Sequence, residues 1–275
     1  MYKISFCISK KQEKSLTRNL ASAGITSYFI ENTGNINMLH VFTESTVLPG
    51  VLDGLVPLSV SVVNESTWMH AWAENFTGHE LTDNLYAAAA GSPLPGKEYT
   101  HIITIDPRDS FGDGHHPTTR LCACLLQDYL LEQANPWNLA MIDVGTGSGL
   151  LAIEAYILGI RMIELFDIDE LSVKMVEKNL QLNGITGLKP FVGDIYNFSF
   201  NKKYDVVTAN LLTGLLEDNI SSLAGALAMG GVMIISGISA KWTSLARRLI
   251  MQNNLIILKH KKLEGWNGFM LHKAE

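Results

Sequence analysis

The residues best placed to do chemistry form one short run, Asp143-Val144-Gly145-Thr146-Gly147-Ser148-Gly149, between an apolar strand pattern over 139–144 and a helix pattern over 149–158. Its glycines permit a tight turn and let the backbone come close to a ligand. The following helix points free amide donors and the positive end of its dipole at that turn, which suits a carboxylate or a phosphate. A second carboxylate, Asp167, ends the next strand pattern 22 residues after Gly145, where it can grip both hydroxyls of a ribose. Dinucleotide sites use G-x-G-x-x-G, whose third glycine would fall at position 150. Here that position is Leu150, and the glycine comes one place earlier.

The D-x-G-x-G-x-G spacing over Asp143, Gly145, Gly147 and Gly149 instead resembles the Rossmann-like methyltransferases, whose cofactor, S-adenosylmethionine, has no pyrophosphate. Gly193-Asp194-Ile195 follows the third strand pattern. In that class such an acidic residue faces the adenine amino group while an apolar neighbour covers the ring; an Asp that caps a loop is the alternative. Ala209-Asn210-Leu211-Leu212 follows the fourth, over the place the methyl group should occupy. The Asn210 side-chain oxygen there can accept a hydrogen bond from an amine and orient its lone pair; a turn-forming Asn is the alternative.

Upstream, Asp106-Pro107-Arg108-Asp109-Ser110-Phe111-Gly112-Asp113-Gly114-His115-His116-Pro117-Thr118-Thr119 reads as a shaped loop that covers a cofactor, with Thr118 and Thr119 opening a helix. Paired histidines suggest a metal, but no third ligand stands at metal spacing, so no metal site is expected.

The elements around these motifs alternate. From His101 onward, strand patterns separated by helical ones imply a doubly wound, mostly parallel sheet with ligands at the carboxyl ends of its strands. The expected fold is therefore α/β, a Rossmann-like core over 101–275. Residues 1–64 read as a small α+β unit of βαββ type, with strands at Lys3 to Ile8, Asn37 to Phe42 and Leu58 to Val63 and a helix from Lys10 to Ala23. Between them, residues 65–100 read as a linker helix, carrying Trp68, Trp72 and Phe76 on one stripe, and a connection rich in Ala, Gly and Pro.

Composition narrows the function classes. Of the 275 residues 47% are hydrophobic and 17% charged, which is ordinary globular usage. A net charge of −6 disfavours direct, nonspecific nucleic-acid binding. Residues 65–110 are the acidic part, with seven acidic and two basic side chains. No apolar run reaches the roughly 18 residues a membrane span needs, and Glu154 interrupts the best candidate. The opening residues lack the layout of a secretion signal, and three cysteines without C-x-x-C give no disulfide framework. A cytoplasmic location is the expectation.

Several of these segments together are specific. Phe111-Gly112-x-Gly114-x-His116-Pro117-Thr118-Thr119, the glycine turn, Asp167-Ile168-Asp169, Ala209-Asn210-Leu211-Leu212, Ser236-Gly237-Ile238 and the Trp68-x-x-x-Trp72 helix resemble the bacterial ribosomal protein L11 methyltransferase family. The resemblance covers most of residues 65–275 and is looser over the first 64. It implies a class I core with a seven-stranded sheet, a small N-terminal substrate-recognition domain, and transfer of methyl groups to lysine or N-terminal amines of ribosomal protein L11. It also implies that Thr119, Gly145, Asp167 and Asn210 contact S-adenosylmethionine. Asp113 and His115 depart from the small or polar residues usual in that loop, and residues 77–96 are acidic where the family is commonly basic. A related enzyme acting on another protein or a small molecule, and a cofactor-binding module without turnover, are the alternatives.

Overall fold

A computed structural model describes residues 2–9, 12, 16, 20, 28–32, 37–43, 50–52, 54–62, 78–106, 112 and 114–273. The chain divides into two compact units, Met1–Phe76 and Thr77–Glu275. The helix expected around Trp68 and Trp72 lies outside the described residues. Among the described residues no helix is long and apolar enough to cross a membrane.

The first unit holds a four-stranded antiparallel sheet of β1 (Tyr2–Ile8), β2 (Tyr28–Asn32), β3 (Asn37–Thr43) and β4 (Pro57–Val62), in the order β2-β3-β1-β4. Three of these strands follow the alternation in the sequence. The fourth, β2, was not expected, because Tyr28-Phe29-Ile30 is a run of apolar residues with no period of two. Of the helix expected from Lys10 to Ala23, residues Gln12, Leu16 and Leu20 are described and helical; Leu16 and Leu20 join Ile4, Phe6, Leu39 and Val41 in the core.

In the second unit a seven-stranded sheet runs β10-β9-β8-β11-β12-β14-β13, with β8 (Ala140–Val144), β9 (Met162–Asp167), β10 (Phe191–Val192), β11 (Tyr204–Asn210), β12 (Leu227–Ser239), β13 (Leu255–Leu263) and β14 (Trp266–Lys273). Neighbours from β10 to β12 pair parallel; β14 is inserted antiparallel between β12 and β13. The central strands are apolar on both faces because both are covered. Met141, Leu165, Val206 and Ile234 face one core with α1 (Pro117–Leu130), α2 (Leu150–Ile157) and α3 (Glu170–Leu182). Ile142, Phe166, Val207 and Ile235 face the other, with α4 (Thr213–Ala226) and α5 (Thr243–Gln252).

One expectation needs correction. Residues 77–100 are not a bare connection: β5 (Gly78–Thr82), β6 (Leu85–Ala89) and β7 (His101–Ile105) form a second sheet whose Leu85, Ile103 and Ile105 enter the first of these cores. The alanines carry no periodic signature, yet the smallness of Ala87 has a packing reason. A Cβ on Gly114 would lie 3.1 Å from the Cβ of Ala87, so the loop before α1 presses directly on β6.

Candidate active site

Strand order reverses at β8, whose neighbours are β9 on one side and β11 on the other. A crevice at the carboxyl ends of such strands is where open α/β sheets bind ligands. The glycine turn occupies it. Gly145, Gly147 and Gly149 all have positive φ, at 66°, 55° and 79°, a region that excludes most side chains. A Cβ on Gly145 would also meet Leu211 Cδ2 at 2.5 Å.

Carboxylates hold the turn in shape. Asp143 is buried and accepts from the hydroxyls of Thr146 (2.7 Å) and Thr208 (2.5 Å). Burial raises its carboxyl to about 6 in spite of those two donors. Asp167 accepts from the backbone N–H of Gly147 at 2.9 Å and of Asp169 at 3.1 Å. Its own carbonyl takes the Gly193 N–H (2.9 Å), which anchors the loop carrying Asp194. The Asp194 oxygens accept from Tyr196 N (3.0 Å) and Asn197 Nδ2 (2.9 Å), the arrangement of a loop cap.

Ser148, within the glycine run, and Asn179, which did not stand out in the sequence, also belong here. Ser148 Oγ donates to the Gly112 carbonyl (2.7 Å), tying the upstream loop to the glycine turn. Asn179, fully buried on α3, donates to the Ser148 carbonyl (2.8 Å) and accepts from Asp106 N (2.8 Å), while Lys178 pairs with the Asp106 carboxylate. A signal for Asn179 existed: it falls three residues after Val176, in phase with the apolar stripe, where a polar side chain needs a reason. His116, read as part of the loop, caps α1 by accepting from Thr118 N (3.3 Å). Burial holds its pKa down at about 4.

On the other side of the crevice, β11 ends at Asn210. Its Nδ2 donates to Thr119 Oγ1 at 3.3 Å, joining two residues 91 apart in the chain. Its Oδ1 is buried and, among the described residues, has no hydrogen-bond partner. Leu211 follows at once, and its backbone lies so close to Gly237 that a Cβ there would overlap the Leu211 carbonyl. The expected residues thus gather in two groups: Asp143, the three glycines and Asp167 around the turn, and Thr119 with Asn210 beside it.

The family model of ribosomal protein L11 methyltransferase matches residues 3–274. The ribosomal protein L11 methyltransferase of Limosilactobacillus reuteri subsp. reuteri is 29% identical over 264 residues, covering 94% of this chain and 81% of that one. The protein of the same description from Desulforapulum autotrophicum is 31% identical over 239 residues, covering 86% and 75%. A crystal structure of ribosomal protein L11 methylase from Lactobacillus delbrueckii subsp. bulgaricus superposes with a TM-score of 0.65 at 28% identity, over 73% of this chain and 100% of that one.

Proposed function

The chain belongs to the ribosomal protein L11 methyltransferase family, and from that premise we propose that it transfers methyl groups from S-adenosylmethionine to lysine or N-terminal amines of ribosomal protein L11. The residues around the turn fit the cofactor. Each oxygen of Asp167 accepts one backbone N–H and keeps a further lone pair for a ribose hydroxyl. Gly145, Gly147 and Gly149 supply close backbone approach, and Asp143 braces the turn from below. Asp194 likewise keeps an open lone pair on each oxygen and is assigned to the adenine amino group.

When bound, S-adenosylmethionine supplies an electrophilic methyl group on a positively charged sulfur. Asn210 then has one task, to accept an N–H of a neutral amine and aim the nitrogen lone pair toward the cofactor side, with Thr119 fixing the amide. Displacement in line gains much of its rate from such positioning. The observation that carries this reading is the Asn210 Oδ1 at the end of β11, buried and without a partner among the described residues. His116, held near 4 by burial, is a poor proton acceptor, and the amine is assigned to reach the site already neutral.

Docking of the protein substrate is assigned to the smaller unit, since the cofactor motifs lie beyond residue 110. The assigned compartment is the cytoplasm. Single-turnover transfer of a labelled methyl group to purified L11 tests the reading, and no incorporation into L11 would overturn it.

A further inference from the structure

Asn210 Oδ1 is not alone. Arg120 Nε, Trp266 Nε1 and Ser239 Oγ are also buried without a hydrogen-bond partner among the described residues. Strand pairing, together with the packing of α1 on β14, brings the four to one end of the sheet. Ser236 stands opposite Asn210 in the β11–β12 ladder and donates from Oγ to the Asn267 carbonyl at 2.9 Å, so the start of β14 lies beside the end of β11. Trp266 is the register partner of Ser239, and its ring meets His116 edge-on at 5.0 Å. On α1 the residue after Thr119 is Arg120, whose Nη1 reaches Glu264 Oε1 at 3.3 Å. A Cβ on Gly268 would come within 2.9 Å of the Leu121 Cβ, so β14 and the first turns of α1 touch directly.

The chemistry of these atoms says what they lack. An indole N–H and a guanidinium Nε–H can only donate, so each needs an acceptor. Arg120 already has a carboxylate partner in Glu264, which leaves no call for an anion. A neutral acceptor beside an amine describes a protein segment well: the amine donates to Asn210, and the peptide carbonyls next to it accept. Resting on the reading that the acceptor is a protein amine, we propose that Trp266 Nε1–H and Arg120 Nε–H hold main-chain carbonyls of the substrate segment that presents the amine to Asn210. The subsite recognises backbone, so it sets where the segment lies without demanding particular side chains around the target.

Two variants of the full chain test this. Trp266→Phe keeps the ring against His116 and deletes the N–H. Arg120→Lys keeps a cation for Glu264 and deletes the Nε–H. Steady-state methylation of L11 is expected to show KM for L11 raised by about threefold to tenfold in each, while calorimetry gives wild-type affinity for S-adenosylhomocysteine. Trp266→Phe should also melt no lower than wild type, since it removes a buried donor that has no partner. If KM for L11 is unchanged in both variants while the unaltered protein methylates L11, the subsite is wrong and the functional reading stands. Loss of cofactor affinity together with kcat would also overturn it, by moving these residues to the cofactor side. No transfer by the unaltered protein would overturn the functional reading, and the subsite would fall with it.

Discussion

The two sides of the crevice are built on opposite terms. Around the glycine turn the polar groups pair within the chain: Asp143 with two hydroxyls, Asp167 with two amides, Ser148 with Gly112 and Asn179, and Asn179 with Asp106. Beside Asn210 the buried atoms Asn210 Oδ1, Arg120 Nε, Trp266 Nε1 and Ser239 Oγ have none among the described residues. Each unpaired buried group costs about 1–3 kcal/mol. A side that receives the same small molecule every turnover can be finished in advance. A side that receives another protein keeps its donors and acceptors for the partner, at the expense of stability.

The largest test of this contrast is pH. Free lysine has a pKa near 10.4 and an α-amine near 7.7–8.0, so the neutral fraction of lysine rises about a hundredfold between pH 7 and 9. Single-turnover methylation of lysines is expected to rise accordingly, whereas α-amine methylation levels off near pH 8. His79 and His116, held near 4 chiefly by burial, stay neutral throughout and add no inflection. A flat lysine profile would mean that the acceptor side contains a base after all.

Next in size is Asn210→Ala. Loss of orientation should slow single-turnover transfer by up to about a hundredfold, leave the shape of the pH profile as in wild type, and weaken S-adenosylhomocysteine binding less than any change at the glycine turn does. Asp167→Ala should do the reverse, weakening that affinity by at least about tenfold through lost charge-assisted hydrogen bonds. Calorimetry on the two variants checks whether the sides separate; equal effects on binding would erase the distinction.

The smallest effect probes an exception. Glu154, on α2 behind the glycine turn, is fully buried with neither oxygen paired among the described residues, and burial lifts its pKa well above the usual range. A carboxyl raised on folding binds its proton more tightly in the folded state, so stability falls as pH climbs from the unfolded value, near 4, toward the folded one. Glu154→Leu should therefore stabilise by about 1–3 kcal/mol at neutral pH, with the gain shrinking toward pH 4. Thermal melts at pH 5 and pH 8 read this; a gain independent of pH would show that the carboxyl does not carry it.

Local pattern carried much of this into view. The glycine turn, Asp167 at the end of β9 and Asn210 at the end of β11 follow from apolar runs that stop at a polar residue, which is how a buried parallel strand presents its carboxyl end. Trp266 and Arg120 could not be read together, because 146 residues separate them and their meeting depends on where β14 enters the sheet. The alanines of β6 were opaque for a different reason. Ala87 among them leaves room for Gly114, and room has no periodicity.

The insertion of β14 between β12 and β13 also bears on how the chain comes off the ribosome. Synthesis delivers β13 before the strand that must separate it from β12. Until β14 emerges, β13 has no neighbour of its own, and β12, buried from Gly231 to Ile238 in the finished fold, shows a bare edge. Such an edge invites pairing with other chains. The nascent protein passes through that exposed interval every time it is made, and the strand that ends it is the one that brings Trp266 to the crevice.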